Sequence, residues 1–144
     1  MPLDETAELA LIGRSKDERD ELRYAATYAL ARAFIPPTTP PPAATDLVVR
    51  ALRDRLSDRN PTTRAAAVGG LAARKAVAVT TPDLLDRLDD NDWRVAVELV
   101  RALGGANGTE QTKIAEIAFL ARVAEEWAGD RLAAPYAHVL LEGL

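Results

Sequence analysis

The sequence predicts an all-α protein, a right-handed α–α superhelix (a solenoid) of about four helical hairpins. Two segments of one design carry that prediction. Asp58-Arg59-Asn60-Pro61-Thr62-Thr63-Arg64 runs on through alanines to Leu71, and Asp90-Asn91-Asp92-Trp93-Arg94-Val95 runs on to Leu103. Asn60 and Asp92 suit helix N-caps, because their side-chain oxygens can accept from the first free backbone N–H groups. The caps lie 32 residues apart, a period of solenoid size. Composition agrees: 48% of residues are hydrophobic but only 5% aromatic, which suits helices packed closely through Ala, Leu and Val.

The same frame extends both ways. Leu30 follows Arg19, and Leu141 follows Asp130, by the same 11-residue step that joins Asn60 to Leu71. At 144 residues the chain is read as one repeat domain, 1–144. Its repeats are expected at about 4–35, 45–79, 81–105 and 109–144, with a proline-rich connection at 36–44.

In chain order, Asp4 to Ile12 is the expected first helix, and Gly13 to Lys16 a turn. The second helix, from Arg19 to Phe34, places Leu22, Ala25, Ala26, Ala29 and Leu30 inward. Five of the nine prolines follow, at 36, 37, 40, 41 and 42, and they exclude a helix. This stretch reads as a stiff extended spacer, with a proline-rich ligand for an aromatic groove as the functional alternative. Thr45 or Asp46 caps the third helix, whose stripe is Leu47, Val48, Ala51, Leu52 and Leu56. Its arginines are broken up by Asp54 and Asp58, as on a solvated face.

Pro61 stands at the first position of the fourth helix, where a missing N–H costs nothing. The Gly69-Gly70 pair inside it costs about 1 kcal/mol per glycine in helix propensity. Close approach of a neighbouring helix accounts for the pair, since no phosphate-loop context surrounds it. Thr81 and Pro82 are expected to open a short helix with Leu84, Leu85 and Leu88 inward. The acidic turn from Asp86 to Asp92 lacks the glycine and spacing of a calcium loop, and reads as capping at a helix N-terminus. Trp93 is expected to staple that turn. Gly104 and Gly105 stop the sixth helix. Thr109 caps a long helix, and Asp130 opens a last one. An apolar face left bare on that last helix suggests self-association through terminal repeats, or a longer natural protein.

The motif Asp58-Arg59-Asn60-Pro61-Thr62-Thr63-Arg64 followed by alanines, with Asp92-Trp93-Arg94-Val95, resembles the second-helix signature of the HEAT-repeat family, in the short bacterial form related to phycobilin-lyase repeats. That family pairs an early second-helix arginine with acidic groups in a ladder along the stack. The resemblance implies this role for Arg23 and Arg64. Ala96 and Ala134 hold the position in the other two repeats, so the ladder is interrupted. It also implies a non-catalytic scaffold that binds a protein or peptide segment. Bacterial proteins with similar repeats can carry catalytic domains such as cyclophilin-type peptidyl-prolyl isomerase, so an accessory segment of a larger enzyme is the alternative. A HEAT-like DNA glycosylase would need a basic concave face and a positioned acid. A bilin lyase shares the repeat, but no residue here distinguishes it.

Chemistry is sparse. The chain has one histidine, His138, no cysteine, and only two serines, Ser15 and Ser57, neither within a nucleophile elbow. No catalytic residue, cofactor or metal site is expected. A net charge of −4 weighs against nucleic acid. No membrane span is expected, and the acidic N-terminus lacks the features of a secretory leader, so a cytoplasmic location is expected. Binding is left to the concave face, which second helices line. In this register Tyr24, Thr27, Tyr28, Val68, Val97, Arg101 and His138 should point into it, and tyrosine and arginine are hot-spot types.

Overall fold

The computed structural model describes residues 3–105, and its described residues hold six helices and no strand. These are α1 (Glu5–Arg14), α2 (Asp20–Arg32), α3 (Leu47–Arg55), α4 (Pro61–Ala73), α5 (Val77–Leu85) and α6 (Trp93–Gly105). They pair as α1/α2, α3/α4 and α5/α6. The second helices pack in series, α2 on α4 and α4 on α6, and α4 is the central one.

Local chemistry starts most of the helices. Asp4 accepts from the Ala7 N–H at 2.7 Å, Asp46 from Val48 and Val49, Asn60 from Thr62, and Asp92 from Arg94. Each side chain satisfies donors that the helix cannot. Arg19 precedes α2 without such a bond. Instead, the Asp17 carboxylate takes the Arg19 N–H, and Asp20 and Glu21 stand in the favourable first turn.

The apolar core runs between the two layers. Leu30, Val48, Val49, Leu52, Leu71, Leu84, Val95 and Leu99 are sealed from water. Two details differ from the expected stripes. On α3, Val48, Ala51, Leu52 and the C-cap Leu56 are buried as expected and Val49 joins them, while Leu47, at the first position of the helix, is 53% exposed. On α2, Ala25 is exposed and Arg23 and Thr27 are buried.

Helix α5 begins at Val77, a turn before the expected start, and runs through Pro82. That proline lacks the N–H that would bond a carbonyl one turn back. The Thr80 and Thr81 hydroxyls donate to the Ala76 and Val77 carbonyls, at 2.7 and 2.8 Å, in this same turn. Leu88 then lies beyond the helix, packed on the core from a turn.

Gly70 justifies the close-approach expectation. A Cβ there would stand 2.8 Å from Ala31 Cβ and 3.0 Å from Ala31 Cα, so α2 and α4 meet almost backbone to backbone. The connection after α2 is not simply extended. The Thr39 N–H closes a turn on the Pro36 carbonyl, and Lys75 Nζ donates to the Pro37 and Thr39 carbonyls at 3.1 and 3.2 Å. Lys75 ends α4 with φ of 60°, a left-handed position rare for a lysine, and the Ala76 N–H reaches back to the Leu71 carbonyl.

The expected helices at Thr109 and Asp130, with Ala134 and His138, lie outside the described residues. Among the described residues no helix is long and apolar enough to cross a membrane.

Candidate functional site: a groove across the second helices

An arginine clamp sets the spacing of the second helices. Asp17, Asp58 and Asp90 hold equivalent places at the turns before α2, α4 and α6. Each carboxylate accepts the N–H two residues on, at 2.9 Å in all three turns. Arg23 donates Nη1 to the Asp17 carbonyl of its own repeat. It then grips Asp58 of the next repeat with Nε at 2.8 Å and Nη2 at 3.3 Å. Arg64 repeats the arrangement, with Nη1 on the Asp58 carbonyl and Nε and Nη2 on Asp90 at 2.8 and 3.2 Å. The fork-shaped guanidinium suits this two-point hold on a carboxylate. Ala96 stands where a third arginine would, as the resemblance implies, so among the described residues the clamp has two rungs.

Burial would push the Asp58 carboxyl up, but the Arg23 side chain and the Asn60 N–H outweigh it and hold it below its usual range. Asp20 is held down likewise by Arg59 and Arg23, which both donate to its Oδ1. Asp17 falls to about 2, chiefly through the Arg19 side chain.

With the second helices aligned, their outward faces enclose a groove of about 610 Å³. Its floor is α4, which presents only Thr62 and small residues there: Ala65, Ala66, Gly69, Gly70 and Ala73. The wall from α2 carries Tyr24, Tyr28 and Arg32, and the wall from α6 carries Trp93, Arg94, Val97, Glu98 and Arg101. The groove therefore opens where the side chains of its middle helix are small. Tyr24 and Tyr28 pack with ring centroids 5.8 Å apart. Arg32 lies over the Tyr28 ring at 5.2 Å and donates Nε to its hydroxyl at 3.2 Å. Arg94 lies 5.8 Å from the Trp93 ring centroid, holds Asp92 through Nε and Nη2, and reaches Thr62 on α4 through Nη1.

Glu98 leans from α6 over the floor, so that a Cβ on Gly69 would meet its Oε2 at 3.2 Å. Among the described residues it pairs with Arg101, at 3.5 Å. Burial pushes its carboxyl up, and Arg101 and Arg32 oppose this only in part.

Of the residues expected on this face, Tyr24, Tyr28, Val97 and Arg101 line the groove. Val68 does not. It is wholly buried in the core, because it stands one residue before Gly69 and so about 100° round the helix. Thr27 is buried for the same reason, and its hydroxyl donates to the Arg23 carbonyl. His138 lies outside the described residues. Sequence reasoning missed Arg32, Trp93, Arg94, Glu98 and the small floor residues. Trp93, expected at the turn, also lines the groove wall.

No group of three or more His, Cys, Asp or Glu side chains is placed to hold a metal among the described residues. A family model described as HEAT repeats matches residues 8–104, two thirds of the chain. The fold and this match together define the class: the chain belongs to the HEAT-repeat family. Such repeats are generally non-catalytic and commonly mediate protein–protein interaction. No curated protein and no solved structure matches the chain significantly.

Proposed function

We propose that the chain is a non-catalytic interaction scaffold, and that the groove across α2, α4 and α6 receives a segment of a partner protein. One observation carries the reading. A floor of alanine and glycine lies between walls that carry three aromatic rings and three arginines. Small floor residues let a segment approach the backbone of α4. Tyrosine, tryptophan and arginine are the types that dominate binding energy when a partner desolvates them. Helix-in-groove and extended-segment recognition both use such a surface.

The test is quantitative affinity capture with the full chain. The Tyr24→Ala, Tyr28→Ala, Arg101→Ala triple variant is compared with Arg50→Ala, a change on the exposed side of α3. The partners held by wild type and by Arg50→Ala should be lost from the triple variant, with thermal melting confirming that all three fold. An identical catch from all three would reject the groove as the binding face.

A further inference from the structure

We infer that the segment received by the groove is acidic: an apolar stretch of a partner protein whose flanking carboxylates are held by Arg32 from α2 and Arg101 from α6. This rests on the groove reading above and deepens it by naming the partner's chemistry.

Charge complementarity carries the argument. The chain as a whole bears −4, so its net charge does not draw in an acidic segment. The groove is the reverse. Arg94 is already committed to Asp92 and Thr62. Setting that pair aside leaves, among the described residues, two guanidiniums, Arg32 and Arg101, against the carboxylate of Glu98.

Both guanidiniums have donors to spare. The hydrogen bond of Arg32 uses Nε alone, leaving its two terminal nitrogens open among the described residues. Arg101 is 61% exposed and touches Glu98 only at 3.5 Å. A guanidinium with two free N–H groups side by side is a ready bidentate partner for a carboxylate. Arg32 is also preoriented on the Tyr28 ring, which lowers the entropy lost when it binds.

A cationic occupant fits poorly. Its charge would have to reach Glu98 between two arginines that already act on that carboxylate. Glu98 holds Arg101 at 3.5 Å, while Tyr28 holds Arg32, so both guanidiniums stand at the groove before a partner's carboxylates arrive. Like charge would then push Glu98 aside, or favour its protonation.

The experiment selects a random 12-residue peptide library, displayed on phage, against the immobilised full chain. Synthetic copies of enriched peptides are titrated by fluorescence anisotropy. The inference expects Asp or Glu beside Leu, Ile, Phe or Trp, and affinity that falls as salt rises. It expects the Arg32→Gln, Arg101→Gln double variant to lose about tenfold or more, and Glu98→Gln to bind at least as tightly as wild type. Both arginines are exposed, so the double variant should fold, which melting confirms. Basic peptides that lose affinity on Glu98→Gln would overturn the inference and leave the groove reading standing. So would a single-stranded oligonucleotide that displaces the peptides more tightly than they bind. Peptides indifferent to Tyr28→Ala and to every other groove substitution would overturn both.

Discussion

Asp58 is 6% exposed and accepts from Arg23, from Arg55 and from the Asn60 N–H, so its charge depends on those partners. Removing one partner of a buried pair typically costs 3–5 kcal/mol. For Arg23→Ala we expect about 3 kcal/mol in urea unfolding, at the low end because Arg55 stays. A loss under about 1 kcal/mol would show that the clamp is no more than a surface pair. Since the folded Asp58 carboxyl titrates below its unfolded value, its contribution is present at neutral pH and lost as pH falls below about 4. Glu98 has the opposite sign. Its carboxyl is raised by burial, so its contribution is complete in acid and lost as pH rises through its folded value. Glu98→Gln should therefore melt higher than wild type at pH 7, with the difference closing in acid. A lower melting point at pH 7 would mean that the Arg101 ion pair outweighs desolvation. A half-buried carboxylate that weakens the fold is better explained by binding than by stability.

The positions five and nine residues after each cap face the groove, and the eighth is buried. The first set is Tyr24 and Tyr28, Ala65 and Gly69, Val97 and Arg101; the second is Thr27, Val68 and Val100. Four of the six groove positions were legible because they carry large or charged side chains. Ala65 and Gly69 escape hot-spot reasoning, which looks for size, because they line the groove by being small. Val68 misleads in the converse way, since it has the size but is wholly buried. The Arg23 and Arg64 rungs, and the missing third rung at Ala96, were legible through the family resemblance, which supplies the ladder that cap spacing alone does not. Glu98 was not, because its importance depends on what α4 leaves open beneath it.

At the scale of the element, the glycine pair in α4 separates two demands that sequence alone merges. Gly70 faces α2, where an added Cβ would collide with Ala31 backbone and side chain. Gly69 faces the groove, where the nearest atom belongs to the flexible end of Glu98. Gly70→Ala should thus destabilise by about 1–3 kcal/mol, by forcing α2 and α4 apart. Gly69→Ala should be neutral or stabilising by up to about 1 kcal/mol, through helix propensity. Both are read from urea midpoints, and equal effects would refute the division of roles. The proline in α5 teaches a similar lesson. Pro82 read as a helix start because prolines favour the first turn, yet the threonines beside it donate to carbonyls in the same turn and the helix begins earlier.

At the scale of the molecule, each second helix touches its neighbour in series, and the clamp links each repeat only to the next. Stability in such a stack is close to a sum of repeat and neighbour terms. Asp90→Ala removes the grip of Arg64 on the α5/α6 hairpin. Native-state hydrogen exchange should then quicken in α5 and α6 while α1 and α2 keep their protection. Uniform quickening in all six helices would mean one cooperative unit instead.

The claim that the three second helices share one binding face is tested most directly by amide chemical-shift mapping. A selected peptide is titrated into the isotope-labelled chain. Perturbations should gather at Tyr24, Tyr28, Ala65, Gly69, Val97 and Arg101, spanning all three helices with a single dissociation constant. Perturbations confined to α1, α3 and α5, or to the proline-rich connection at 36–42, would contradict it.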